Sequence, residues 1–485
     1  MRLAALGLTL FVALLAVGHG TAGFDDAYIT YTYAKTFAAG GGLTWEGVPV
    51  LGTSTPFLAV VLGLLERAWP LGVDWWGSLL GWLSLWGLGL ALVALARREG
   101  WLLGGAIAAI VALGAPGLLK FVGSEFLPAV ALVAAAAWAL ASGRRTASGV
   151  ALALAVALRT ELGIAALALA GAFLLVERGR WRDVARVAGL ALALWGLWLV
   201  ALWRIAGTLL PSTLAAKQAQ GASVLGIWPA GLGLIENLVG MTPAALFYRR
   251  DLLGDGLAIV LALLGLAAWW RLGGRRWPLA GALLLWGPLH LALFALLGVG
   301  AYPWYAIPFW FACAVAIGLA FELARALPRD RARIAVAVLG VALVAGILGS
   351  RDSFGWQLRP AEDERKAVYR EVAELLDSYP PGTRLAAWEV GYLGYYAANP
   401  VLDLLGLVTP EAPLDLVRQG QLADIRERLK PDILMLSGDR GALVSATRGD
   451  EVRFAEDFEE IAEWSSEKMI ARTYLASRGS RARGQ

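Results

Sequence analysis

The chain has 485 residues, 58% of them hydrophobic and 16% charged, with 22 Trp and 58 Gly, which excludes an ordinary soluble globular protein and marks a polytopic membrane protein. A formal net charge of +4 is too small to argue for a nucleic-acid partner, so the basic residues matter through their placement. One cysteine, Cys313, excludes an intrachain disulfide and a thiolate metal cluster; with His19 and His290 it lies in apolar sequence, where satisfied core residues are expected rather than a histidine zinc site.

The first apolar run, Leu3 to Val17, follows Arg2 and resembles a signal peptide with a small-residue site at Thr21-Ala22-Gly23. Extended through Ala22 it reaches the roughly 20 residues of a bilayer crossing, and an uncleaved helix is the preferred reading. A polar, glycine-punctuated stretch, Gly23 to Pro56, comes next and opens on the adjacent acids Asp25 and Asp26. Ionised carboxylates so close to lipid need water or partners. Two readings stay open: a general base beside a second carboxylate, or a helix N-cap for the segment that follows.

Phe57 to Trp69 is short, ends in Glu66 and Arg67, and suits a helix lying along the interface. Apolar runs follow near Trp75–Ala96, Trp101–Ala115, Phe126–Ala141, Val150–Leu158, Leu162–Val176, Val187–Trp203, Leu257–Trp270, Leu279–Leu297, Ala301–Leu323 and Ile334–Leu348. About eleven crossings with a cytoplasmic N-terminus leave nearly every arginine cluster on one side, including Arg97, Arg144, Arg186, Arg275 and Arg331. Asp25, Asp26, Glu125, the Arg159-Thr160-Glu161 turn, Lys217 and Tyr302 then face the opposite compartment. Counting Phe57 to Trp69 as a crossing would invert every later cluster.

Beyond Arg351 the composition becomes that of soluble protein, which divides the chain into a membrane domain, 1–350, and a C-terminal domain, 351–485. Val368, Val372, Leu375 and Leu376 form a helical stripe ended by Pro380, Pro381 and Gly382. Arg384–Trp388 and Ile433–Leu436 read as strands around the amphipathic stretch Leu422–Leu429, predicting a small α/β domain of about 130 residues on the face of the polar loop.

Few charged residues occupy that face. Glu125 precedes an apolar helix, where the helix dipole favours a carboxylate. Arg159 and Glu161 stand between two apolar runs, either paired with each other, paired with the aspartates, or in contact with substrate. Lys217 follows Leu210-Pro211-Ser212-Thr213, and Tyr302-Pro303-Trp304-Tyr305 suits an aromatic belt or a sugar-binding surface. Two acids and two cations at the lipid edge fit an anionic lipid headgroup and a hydroxyl nucleophile. No Walker-type glycine loop is present, so no nucleotide is expected, nor haem or flavin.

Five segments in order, Asp25-Asp26-Ala27-Tyr28-Ile29-Thr30-Tyr31, Gly123-Ser124-Glu125, Arg159-Thr160-Glu161-Leu162-Gly163, Leu210-Pro211-Ser212-Thr213 with Lys217, and Glu389 to Tyr396 followed by Asp403-Leu404-Leu405-Gly406-Leu407, resemble GT-C fold membrane glycosyltransferases. The resemblance is nearest to the bacterial group containing the terminal arabinofuranosyltransferases of actinobacterial cell walls. It implies a polytopic α-helical membrane protein of the bacterial cytoplasmic membrane that transfers a sugar, with inversion, from a polyprenyl-phosphate carrier to a glycan, glycolipid or protein acceptor of the cell envelope. It also implies that Asp25 is the base, that Asp26 positions the acceptor or a divalent cation such as Mg or Mn, and that Arg159 and Lys217 meet the carrier phosphate. Tyr28, Glu125, Glu161, Tyr302 and Glu389 would support substrate binding, and the C-terminal domain would be extracytoplasmic. The sequence departs from the pattern at Thr32, where arginine is common, at Leu51-Gly52-Thr53, which replaces Glu-Gly-Tyr, and at Thr160, which replaces proline. Two other classes remain open: a flippase for lipid-linked sugars, with charges lining a path, and an envelope anchor acting through its C-terminal domain.

Overall fold

The computed structural model describes residues 2–19, 23–113, 119, 121–176, 180–221, 260, 262–273, 276–299, 302–349, 364–412, 414–419, 422–438, 458–465 and 470–476. The 350/351 boundary, Thr21-Ala22 and the start of the Leu257 run lie outside these residues.

In chain order the helices are α1 (Arg2–His19), α2 (Asp25–Ala38), α3 (Pro56–Ala68), α4 (Val73–Glu99), α5 (Leu102–Leu113), α6 (Phe126–Ala141), α7 (Arg145–Leu158), α8 (Gly163–Val176), α9 (Trp181–Ala206) and α10 (Thr213–Gly221). They continue as α11 (Ala262–Leu272), α12 (Pro278–Leu297), α13 (Ile307–Arg325), α14 (Arg329–Gly349), α15 (Glu364–Asp377), α16 (Gly391–Tyr396), α17 (Leu414–Gln419) and α18 (Leu422–Leu429). Among the described residues four helices are long and apolar enough to cross a membrane: α4, α9, α12, and α13 with its preceding turn. Six more apolar helices are 10–17 residues long. A short helix does cover most of the stretch 57–69: α3, 13 residues starting on Pro56.

Lipid supplies no hydrophobic force between helices, so close approach does the packing. At the α5–α13 crossing a Cβ on Gly318 would lie 2.2 Å from the Gly104 carbonyl oxygen. Glycine on both sides lets the backbones meet. Buried carboxylates tie the helix ends: Glu322 of α13 accepts the Gly104 amide at 3.0 Å, and Glu99 accepts those of Leu279 and Ala280 at 2.9 and 3.2 Å. Each satisfies amides that a helix start leaves without intrahelical partners.

The C-terminal region is a five-stranded sheet in the order β2 (Val401–Asp403), β1 (Leu385–Ala387), β3 (Ile433–Gly438), β5 (Ile470–Ala476), β4 (Phe458–Ser465). The first three strands are parallel and the last two antiparallel to their neighbours. Tyr369, Val372 and Leu376 of α15 pack with Leu385, Ala387 and Met435 in its core. Both predicted strands are present, and β2, β4 and β5 extend the sheet beyond the expectation.

The membrane and sheet regions share one continuous core. Tyr28 of α2 packs on Tyr392 of α16 with ring centroids 4.5 Å apart. Trp45 donates from Nε1 to the Val401 carbonyl at 3.1 Å, and Glu46 accepts the Val401 amide at 2.9 Å, so the polar loop finishes the free edge of β2.

Candidate active site

Asp25 and Asp26 occupy the first turn of α2, with Phe24 in the cap position and no side-chain cap hydrogen bond. The N-cap reading is therefore replaced: both carboxylates sit at the positive end of the helix dipole and are free to serve other partners. The rest of α2 is tied down on every side. Tyr31 donates to the Gly123 carbonyl at 2.6 Å, Tyr33 donates to that of Val50 at 2.6 Å and accepts the Gly52 amide at 2.8 Å, and Thr30 bonds Thr53 at 2.9 Å. The Leu51-Gly52-Thr53 departure from the family pattern thus finds structural partners. Another departure, Thr32, turns its hydroxyl back on the Tyr28 carbonyl at 2.9 Å, within its own helix.

The two aspartates face different surroundings. Asp25 is only 4% exposed, and its carboxylate accepts the Gly391 and Tyr392 amides at 3.1 and 2.9 Å. Burial, reinforced by the Glu389 carboxylate and opposed by Arg365, pushes the Asp25 carboxyl up to about 7. Glu389 is held by Arg365 at 2.5 Å and by the Tyr369 hydroxyl. Asp26 is one-third exposed (33% of its side chain) and pairs with Lys217 of α10 at 3.2 Å.

Lys217 is enclosed by aromatic rings, its ammonium 4.1 Å from the Tyr302 centroid and 5.3 Å from that of Trp304. Burial pulls its pKa down, but Asp26 and the neighbouring tyrosines outweigh that and hold the ammonium charged. Tyr302 stacks on Trp304 at 4.7 Å and donates to Gln220 at 2.5 Å. The three aromatic residues at 302–305 form an inward-facing wall, with Tyr302 and Tyr305 buried, instead of an exposed belt.

Of the pairings left open by the sequence, Arg159 makes the one with its neighbour Glu161 and adds Glu125 at 2.7 Å, lying over the Phe126 ring at 4.2 Å. Asp25 and Asp26 are not among its ion-pair partners. Tyr305 links the two cationic centres, 5.7 Å from the Arg159 guanidinium and 5.9 Å from the Tyr302 ring. His290 is a core residue as expected, but neither ring nitrogen has a hydrogen-bond partner among the described residues.

Segments far apart in sequence close over this site. Ser212 donates to the Leu51 and Leu407 carbonyls at 3.2 and 3.4 Å. Asp403 receives the amides of Leu405, Leu407 and Val408, which shapes the loop that Ser212 touches. Arg365, Tyr369 and Gln220 were not legible as site residues in sequence, since each is an ordinary polar residue outside the quoted motifs.

No group of three potential metal-ligating side chains occurs among the described residues. With Asp26 on an ammonium and Asp25 on two amides, the donor set as arranged does not form a divalent-cation site.

The profile of a family described as a domain of unknown function (DUF8728) matches residues 356–481. No curated protein matches the sequence. Among solved structures, ArnT from Cupriavidus metallidurans bound to undecaprenyl phosphate is similar, with TM-score 0.58 and 15% identity, covering 98% of this chain and 97% of that one. So is the oligosaccharyltransferase AglB from Archaeoglobus fulgidus in complex with an inhibitory peptide and a dolichol-phosphate, with TM-score 0.59 and 13% identity, covering 98% and 74%. The same archaeal enzyme in complex with Zn and sulfate gives TM-score 0.56 at 14% identity, covering 97% and 73%. The chain therefore has the GT-C fold: a helical membrane core carrying a small sheet domain.

Proposed function

We propose that the protein is an inverting glycosyltransferase, moving a pentose or hexose from a polyprenyl-phosphate carrier to a glycan, glycolipid or protein acceptor on the outer face of the cytoplasmic membrane. One observation carries this reading: within a GT-C fold, segments scattered over the chain converge on a carboxylate pair that has a lysine beside it.

In the proposed reaction the acceptor hydroxyl oxygen bonds to the anomeric carbon as the bond from that carbon to the carrier phosphate oxygen breaks. In-line displacement inverts the carbon. Asp25 takes the hydroxyl proton, a role that suits a carboxyl poised near neutrality. The phosphate leaves with the bonding electron pair, and the Lys217 ammonium offsets its charge. Arg159, shared between Glu125 and Glu161, supplies a second and more encumbered cation. Asp25 lies under α16, so we place the acceptor at the seam between α2 and the C-terminal domain, near Glu389, Tyr28 and Arg365. No step is assigned to a divalent cation.

This assignment requires about eleven crossings, a cytoplasmic N-terminus and an extracytoplasmic domain 351–485. The deciding experiment incubates purified protein with a panel of polyprenyl-phosphate pentoses and hexoses and an envelope extract. Glycosylated acceptor with stoichiometric release of free carrier is expected. Movement of intact lipid-linked sugar across liposomes without transfer would overturn the proposal in favour of a flippase.

A further inference from the structure

The Asp26–Lys217 pair joins the more accessible acid of the site to a deeply set cation. The lysine side chain is 12% exposed and the aspartate 33%, with Tyr302 and Trp304 against the ammonium. The pair is open on the Asp26 side. Resting on the glycosyltransferase reading, we propose that Asp26 is a placeholder anion for the carrier phosphate: the arriving phosphate takes Lys217 from Asp26, and the donor thereby frees the carboxylate.

The exchange is physically balanced. A phosphodiester offers an ammonium the same pair of anionic oxygens as a carboxylate and a phosphate monoester offers a third, and charge-assisted bonds to either are strong. Lys217 remains charged throughout, because it exchanges one anion for another. Released Asp26 stays on the first turn of α2, where the helix dipole favours its negative charge. Its charge then stands unneutralised beside Asp25, adding to the upward push Asp26 already exerts on that carboxyl. The device orders the reaction, donor first.

The pair should therefore compete with donor binding. Purified protein in phosphatidylcholine nanodiscs, titrated with undecaprenyl phosphate, gives the test. Asp26→Asn is expected to bind the lipid about three- to tenfold more tightly than wild type, and Lys217→Gln more weakly. In Lys217→Gln the further change Asp26→Asn should bring no gain. Equal or weaker binding by folded Asp26→Asn overturns the exchange. A second measurement needs no variant: carbodiimide labelling of Asp26 in wild type, read by mass spectrometry, should rise when undecaprenyl phosphate is added. Unchanged or reduced labelling also overturns it. Wild type that binds no undecaprenyl phosphate at all contradicts the donor assignment itself, whereas normal lipid binding without these changes removes only the exchange.

Discussion

Adjacent aspartates on one helical turn hold opposite positions: Asp25 is sealed beneath two backbone amides, and Asp26 is partly open to water and paired with Lys217. Burial and Glu389 bring the Asp25 carboxyl to about 7, so above that pH it is ionised and able to accept a proton, and below it the base is lost. Transfer rate should fall on acidification through pH 7, with a limb approaching tenfold per pH unit. In Asp25→Asn the rate should drop by about 10²–10⁴-fold, and the limb should vanish while expression and melting temperature persist. Glu389→Gln removes a charge that raises Asp25, so its acid limb should move to lower pH. Initial rates from pH 5 to 9 check all three, and full activity in Asp25→Asn refutes the base. The pair was visible in sequence because charge is conspicuous in an apolar chain. Which partner each acid takes was not, since Gly391 and Tyr392 act through backbone amides that no side-chain pattern reveals.

Helix α2 and the short helix α16 form the joint between membrane and sheet regions. A Cβ on Gly391 would fall 1.8 Å from the Asp25 carbonyl oxygen, a contact with backbone that no rotamer change relieves. Gly391→Ala should therefore cost about 1–3 kcal/mol or more and lift α16 off the carboxylate. Proteolysis of the C-terminal domain in the folded membrane protein should accelerate and transfer should fall, whereas an unchanged digestion pattern would show that the joint does not depend on this contact. Elements with clean ends were read closely: the apolar run Phe126–Ala141 and the amphipathic stretch Leu422–Leu429 match the observed helices residue for residue. Strand β4 escaped because its register shifts between Glu460 and Ala462, which places its large apolar residues, Phe458, Ile461 and Trp464, three apart. That spacing imitates a helix.

The whole molecule is legible mainly through its charge asymmetry: arginines close the ends of α4 and open α7, while the carboxylate pair and Lys217 gather elsewhere. By length and composition only four described helices reach an ordinary crossing, and the charged turn Arg159–Leu162 separates two shorter ones. Sidedness is therefore the global property on which the chemistry depends, because the proposed donor and acceptor meet only outside the cytoplasm. The chain is suited to a direct measurement, as its single cysteine, Cys313, is buried. Val48 lies exposed in the polar loop and Thr146 exposed beside Arg144 and Arg145, so each accepts a new thiol without disturbing a core. In intact cells an impermeant maleimide should label Val48→Cys and spare Thr146→Cys until the membrane is permeabilised. The reverse pattern would put Asp25 and Asp26 in the cytoplasm, with the arginine clusters facing outward against the usual bias. A site so placed has no access to an outer-leaflet donor, and the transfer assigned to it would fail with it.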